Sequence, residues 1–115
     1  MAAMTRQLDR TFHALSNATR RAVVERLRQS PATVSELAAP FGMSLPSFMD
    51  HLQVLEQSGL VRSRKRGRVR TVRIVPRRLR QAAAWLDQQR AIWEQRLDQL
   101  DAYVKTMEKH DESSP

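Results

Sequence analysis

Residues 33–60 read Thr33-Val34-Ser35-Glu36-Leu37-Ala38-Ala39-Pro40-Phe41-Gly42-Met43-Ser44-Leu45-Pro46-Ser47-Phe48-Met49-Asp50-His51-Leu52-Gln53-Val54-Leu55-Glu56-Gln57-Ser58-Gly59-Leu60, and they decide the fold. Thr33 followed three residues later by Glu36 has capping-box spacing and opens a short helix through Leu37 and Ala38. Phe41-Gly42-Met43 is a turn, with Gly42 free to take positive φ. Ser44 then caps a second helix, and Pro46 sits in its first turn, where a missing N–H is no loss. That helix turns Phe48, Leu52 and Leu55 inward, and Gly59 is the expected left-handed stop. Two short helices across a tight turn, the second with a polar outer face, make a helix-turn-helix.

Upstream, Leu8, Phe12 and Leu15 recur at helical spacing and predict a first helix. Asn17 can cap the next one. Its apolar stripe is Ala22, Val23, Val24 and Leu27, with Arg20, Arg21, Glu25, Arg26 and Arg28 facing water or a partner; Ser30-Pro31-Ala32 ends it. Downstream, strands near residues 60–64 and 69–74 flank a Lys65-Arg66-Gly67-Arg68 tip.

Half of the chain's twenty Lys and Arg residues lie between Arg62 and Arg80, and no acidic residue lies between Glu56 and Asp87. Ser63, Gly67 and Val69 run through the densest part, Arg62 to Arg70, and Thr71 and Val72 follow it, which suits a hairpin better than a solvated tail. With a formal net charge of +8 over 115 residues, the chain is one domain, or one domain with an appendage, built for an anionic partner. Cysteine is absent, which removes disulfides and thiolate metal sites. No apolar run approaches the ~18 residues that span a bilayer, and the expected location is cytoplasmic.

From Arg77 to Met107 the pattern is helical. Ala83, Leu86, Arg90, Trp93, Leu97, Leu100, Val104 and Met107 alternate spacings of three and four, a coiled-coil seam with one charged member. At 1.5 Å per residue this helix is ~46 Å long, against a radius of gyration of ~13 Å for a compact domain of about this size. Either it breaks near Gln88-Gln89 or a second chain covers the seam; the second reading is favoured. The fold class is therefore mainly α with a two-stranded β-wing, a winged helix-turn-helix with a long C-terminal dimerisation helix. Residues 5–107 form a single domain: 5–76 the DNA-binding core, with the wing at about 60–75, and 77–107 the dimerisation helix. Residues 108–115 are expected to be disordered.

Four stretches carry a resemblance to a known family: residues 15–21 (Leu15 to Arg21), 33–38, 51–61 (His51 to Val61) and Arg66-Gly67-Arg68. In this order, across Leu8 to Ile74, the chain resembles the ArsR-type bacterial transcriptional repressors, and its Trp85 and Trp93 helix is similar to the terminal helix of some metal-independent members. The resemblance implies a homodimer joined by its first and last helices, a recognition helix in the major groove, and a wing on the backbone or minor groove. Repression would follow from occupying an operator that overlaps a promoter. Where the family often has Ser followed by Lys, Arg or Gln ahead of the His-Leu pair, this chain has Met49 and Asp50.

The recognition-helix candidates are Ser44, Leu45, Ser47, Met49, Asp50, His51 and Gln53. Ser44, Ser47 and Gln53 are hydrogen-bonders, and Leu45 or Met49 suits a thymine methyl. Asp50 repels phosphate yet can accept from a cytosine amino group; pairing with its helix's N-terminal dipole is the alternative. His51 has two readings, a phosphate donor or a half-buried histidine satisfied by the domain. The wing candidates for phosphate are Arg64, Lys65, Arg66, Arg68 and Arg70, with Arg66 or Arg68 suited to the minor groove. The dimer-interface candidates are Leu8, Phe12, Leu86, Trp93, Leu97, Leu100 and Val104. Arg90 either pairs across that interface with Glu94 or Asp98 or points away. Trp85 and Trp93 read as packing before they read as a ligand pocket.

No catalytic residue, cofactor or metal is assigned. His13, His51 and His110 lie on three elements, short of the three or four converging ligands zinc needs; an intersubunit site from His110, Asp111 and Glu112 is conceivable against the default of an acidic tail. There is no Gly-rich phosphate loop and no Ser–His–carboxylate set in a recognisable context. The expected partners are double-stranded DNA and a second copy of the chain, with no membrane; nothing identifies a small-molecule inducer. The leading function is a sequence-specific homodimeric repressor on an inverted-repeat operator. The competing one is a non-specific or architectural nucleic-acid binder, for which charge alone suffices.

Overall fold

The computed structural model describes residues 2–113, with side chains through Asp111. The order of elements is α1 (Ala2–Leu15), α2 (Ala18–Leu27), β1 (Ala32–Thr33), α3 (Val34–Ala38), α4 (Leu45–Gln57), β2 (Val61–Arg66), β3 (Val69–Ile74) and α5 (Pro76–Ser113). The chain divides into two compact units, one up to Ala82 and one from Ala83 onward. No helix among the described residues is long and apolar enough to cross a membrane.

Local chemistry explains the helix ends in the first unit. The Asn17 side chain accepts from the Arg20 N–H, Thr33 Oγ1 from the Glu36 N–H and Ser44 Oγ from the Ser47 N–H, so each cap satisfies a donor that its helix leaves open. The Glu36 side chain does not return to its cap; it pairs with Arg26 at 3.6 Å. At the end of α4, Gly59 N–H donates to Glu56 O and Leu60 N–H to Leu55 O, the paired bonds of a Schellman stop, with Gly59 at φ +81°.

Phe48, Leu52 and Leu55 of α4 meet Val23 and Leu27 of α2, Leu37 of α3, and Leu60, Val61 and Val72 around the sheet, all at most 2% exposed. These side chains form one core, with Leu79 of α5 packed on its margin. Phe41 stacks on Phe48 with ring centroids 5.9 Å apart.

Several expectations require correction. The sheet has three strands in the order β1-β3-β2, because Ala32 and Thr33 pair with Val72 and Thr71 beyond the two-stranded wing. Strand β2 runs to Arg66, so Lys65 and Arg66 belong to the strand and only Gly67-Arg68 makes the tip. Gly67 lies at φ +60° while no non-glycine residue among the described residues has positive φ, the signature of a two-residue II′ hairpin. Gly42 does not use its freedom: it is not at positive φ, and the turn is closed by Phe41 N–H donating to Ala38 O.

In α2, Ala22 is exposed and Arg20 is buried, since the inward row is Arg20, Val23 and Leu27 at spacings of three and four. That helix stops at Leu27, ahead of Ser30-Pro31. In α1 the buried residues are Thr11 and Ala14; Leu8 and Leu15 are half-buried and Phe12 is exposed. The terminal helix has no break at Gln88-Gln89. It also continues through residues 108–113, expected to be unstructured, because nothing before Pro115 interrupts the backbone ladder; Ser114 and Pro115 lie outside the described residues.

Candidate nucleic-acid interface

The outer face of α4 carries Ser44, Leu45, Ser47, Asp50 and Gln53, all exposed, and Leu45 keeps 58% of its surface. Met49 and His51 are half-buried, Met49 resting against the core. The α4 register explains this division: Phe48, Leu52 and Leu55 take the inward row, and the residues between them are turned out.

Beside the start of α4 lies a surface notch of about 510 Å³ lined by Val34 and Ser35 of α3, Leu45 and Met49 of α4, and Lys65, Arg68 and Arg70 of the wing. The fold thus joins two of the recognition-helix candidates to three of the wing candidates. Val34 and Ser35 were not singled out in the sequence; their place in the notch follows from the β1–β3 pairing, which carries the start of α3 against the wing.

The wing arginines do not act as one set. Residues opposite each other in β2 and β3 share a face, so Val61/Ile74, Ser63/Val72 and Lys65/Arg70 occupy one side and Arg62/Arg73, Arg64/Thr71 and Arg66/Val69 the other. Val61 and Val72 are buried, which makes the first side the core side, and Lys65 and Arg70 continue it toward the tip. Arg64 and Arg66, expected beside Lys65 on phosphate, stand on the opposite side.

Arg70 is half-buried and donates from Nη1 to Ser63 Oγ at 2.8 Å, while Ser63 Oγ donates to Glu56 Oε1. This relay fastens the wing to the end of α4, and it commits part of the Arg70 guanidinium inside the domain. Lys65 and Arg68 are the more available cations of the notch. Sequence reasoning missed Ser63 and Glu56 because their meeting depends on the strand register.

A second polar device supports His51. Arg20, 8% exposed, donates from Nε to Ala14 O at 2.7 Å, from Nη2 to His13 O at 3.1 Å, and from Nη1 to His51 Nδ1 at 3.0 Å. A guanidinium only donates, so Nδ1 of His51 is the acceptor and its proton sits on Nε2. The half-buried reading of His51 therefore holds for one ring nitrogen, and the other keeps an N–H for a partner. Arg20 links the end of α1 to the recognition helix.

In the second unit, Leu86, Trp93, Leu97, Leu100 and Val104 are 43–60% exposed, with Ile92 and Tyr103 exposed beside them. Arg90 bonds within its own helix, to Asp87 at 3.2 Å and Glu94 at 3.9 Å, and Arg96 lies over the Trp93 ring at 5.7 Å. No group of three or more His, Asp or Glu poised for a metal occurs among the described residues.

A polar-faced helix over a tight turn, flanked by a cationic β-hairpin, defines a winged helix-turn-helix DNA-binding transcriptional regulator. The family described as a helix-turn-helix domain matches residues 15–64. An ArsR family transcriptional regulator of known crystal structure is 52% identical, with a TM-score of 0.76 over 78% of this chain and 93% of that one. The chain belongs to the ArsR family of transcriptional regulators. The solution structure of the homodimeric winged helix-turn-helix DNA-binding domain Mb0332 from Mycobacterium bovis, a possible ArsR-family regulator, is 28% identical with a TM-score of 0.61, over 85% of this chain and 88% of that one. The HTH-type transcriptional regulator Rv2034 of Mycobacterium tuberculosis is 42% identical over 71 residues, 62% of this chain and 66% of that protein. The transcriptional repressor SdpR of Bacillus subtilis is 30% identical over 60 residues, 52% of this chain and 67% of that protein. The match thus spans about two thirds of each curated relative.

Proposed function

We propose that the protein is a homodimeric, sequence-specific repressor that occupies an inverted-repeat operator. The observation that carries this reading is the pairing of an exposed polar face on α4 with the cation-lined notch beside it. Ser44, Ser47, Asp50 and Gln53 present donors and acceptors to base edges in the major groove, and Leu45 offers apolar contact to a thymine methyl. Lys65 and Arg68 hold the adjoining backbone, and His51 donates from Nε2 to a phosphate. A purely architectural binder would need the charge but not this exposed mixed set.

Residues 5–76 serve as the reading core and 77–107 as the dimerisation helix. Leu86, Trp93, Leu97, Leu100 and Val104 form a stripe that water does not favour, and a second copy's helix covers it. The charge along α5 supports an antiparallel partner. Arg77, Arg78, Arg80 and Arg90 outweigh Asp87 and Glu94 in its first half, whereas Asp98, Asp101, Glu108, Asp111 and Glu112 outweigh Arg96, Lys105 and Lys109 in its second. Leu8 and Phe12 on α1 add to the interface. The homodimeric relative and the relative named a repressor support the dimer and the sign of regulation.

The test is transcription in vitro from a template whose promoter overlaps a bound site, with a random duplex added as competitor at fixed salt. Transcript should fall as the site fills, and the competitor should not relieve it. A rise in transcript, or relief by equimolar random duplex, would overturn the reading.

A further inference from the structure

The rear of the wing carries charge that the proposed reading of DNA does not use. Arg62, Arg64 and Arg66 of β2 and Arg73 of β3 are all exposed on one side of the sheet, around a depression of about 500 Å³ that Pro31 and Thr71 also line. No carboxylate pairs with any of the four among the described residues. Arg62 stands directly opposite Arg73 in the register, an arrangement of like charges that destabilises a hairpin. The core side of the same strands differs: there Arg70 is tied to Ser63 and through it to Glu56. Alternate residues of a strand are about 6.7 Å apart, so Arg62, Arg64 and Arg66 span about 13 Å in a straight row. That row can follow consecutive phosphates of a nucleic-acid backbone.

The two sides of a sheet face opposite directions. A duplex lying on α4, Lys65 and Arg68 could also reach Arg62 and Arg73, near the base of the hairpin, only by folding sharply around the wing. DNA with a persistence length of about 150 bp resists such a turn within a few base pairs. Arg62 and Arg73 are therefore placed for a different molecule. The rear side of the two strands has no Phe, Tyr or Trp, on which single-stranded bases could stack or which could anchor a protein interface; Val69 is its one exposed large apolar residue. Its groups suit a regular double-stranded backbone, held by charge and without sequence preference.

We infer that the rear of the wing, Arg62, Arg64, Arg66 and Arg73, is a second nucleic-acid site that holds a separate segment of duplex DNA while α4 and the notch hold the first. The inference rests on the proposed reading of the front face, and it makes the dimer a bridge between DNA segments. Each subunit offers one such site, which also gives the protein a way to pass between segments without leaving DNA.

The experiment uses the full chain bound to a bead-immobilised duplex recovered by selection, with a labelled random duplex of ~30 bp added in solution, long enough to cover both faces at one charge per ~1.7 Å. The wild type should retain the labelled duplex, and retention should fall steeply with salt. Arg62→Gln/Arg73→Gln should lower that retention about tenfold or more while leaving affinity for the immobilised duplex within about twofold, since taking cations from one face leaves the other face intact. Lys65→Gln/Arg68→Gln should do the reverse, and the thermal midpoints of both variants should stay close to wild type. If the wild type binds the immobilised duplex but retains no second one, the inference fails and the reading of the front face stands. Equal loss of both affinities in the rear variant would show that a single duplex uses both faces and would overturn the second site. Stronger retention of single-stranded RNA or of an acidic protein would give the site to another class of partner and overturn the assignment. Failure of the chain to prefer the immobilised duplex over random DNA would sink the front-face reading and this inference together.

Discussion

Replacing Arg20 by methionine isolates the buried guanidinium that joins α1 to the recognition helix. Methionine approximates the arginine stem and donates nothing. His13 O would keep its bonds from Ser16 N–H at 3.1 Å and Ser16 Oγ at 2.6 Å. Ala14 is wholly buried, and its carbonyl would lose the Arg20 Nε–H at 2.7 Å; His51 Nδ1 would lose its donor at 3.0 Å. Two such orphans cost about 1–3 kcal/mol each. Removing the guanidinium also returns the cost of having taken it out of water, so the net loss comes to about 2–4 kcal/mol. For a domain near 100 residues each kcal/mol moves the melting point by about 4–8 °C, giving a fall of about 8–32 °C. Arg20→Lys keeps the charge but not the fork, and should fall between the two. The assay is urea and thermal unfolding followed by circular dichroism at one fixed protein concentration, because association with a second copy adds to apparent stability. A loss below ~0.5 kcal/mol for Arg20→Met, the range of ordinary surface changes, would refute the view that this guanidinium holds the elements together.

Other outcomes follow from the same geometry. Arg68→Ala removes one phosphate cation per subunit, so the log–log salt dependence of DNA affinity should flatten by about two for a dimer; an unchanged slope removes Arg68 from the interface. Asp50→Ala should broaden the set of duplexes recovered by selection while changing the tightest affinity little; uniform weakening across all sequences would instead support a helix-dipole role. Gly59→Ala combines φ +81° with a methyl 3.2 Å from Arg78 Nε and should destabilise by about 1–2 kcal/mol in urea unfolding, whereas Gly42→Ala, with nothing within 4 Å, should not. Leu97→Asp should turn the dimer into a monomer by light scattering and lower affinity for a two-half-site duplex far more than for a single half-site; a persistent dimer would move the interface elsewhere.

Much of the first unit was legible because its signals are local. Asn17, Thr33, Ser44 and Gly59 each act within a few residues of themselves, and the 48-52-55 row of α4 needs only helical period. The pairing across the wing was not legible, since it hangs on the length of the turn. A four-residue tip at Lys65–Arg68 would pair Arg64 with Val69; the two-residue turn at Gly67-Arg68 pairs Arg64 with Thr71 and Arg66 with Val69. Two residues of slip decide which cations lie opposite one another, and strand alternation then separates Arg64 and Arg66 from Lys65. Strand β1 is two residues long, too short to leave a pattern. The burial of Arg20 was hidden for another reason: whether a guanidinium can be buried depends on acceptors supplied by α1 and α4, which no window of sequence contains. Small inward residues in α1, Thr11 and Ala14, likewise carried less weight than the larger Leu8 and Phe12 beside them.

Selection of bound duplexes from a randomised pool, by the full chain at near-physiological salt, tests the central claim most directly. The prediction is an inverted repeat whose half-sites lie about one helical turn, ~10 bp, apart, bound by two protomers. Recovery of a pool no richer in any sequence than the starting one, or of a lone half-site bound by a single protomer, would contradict it.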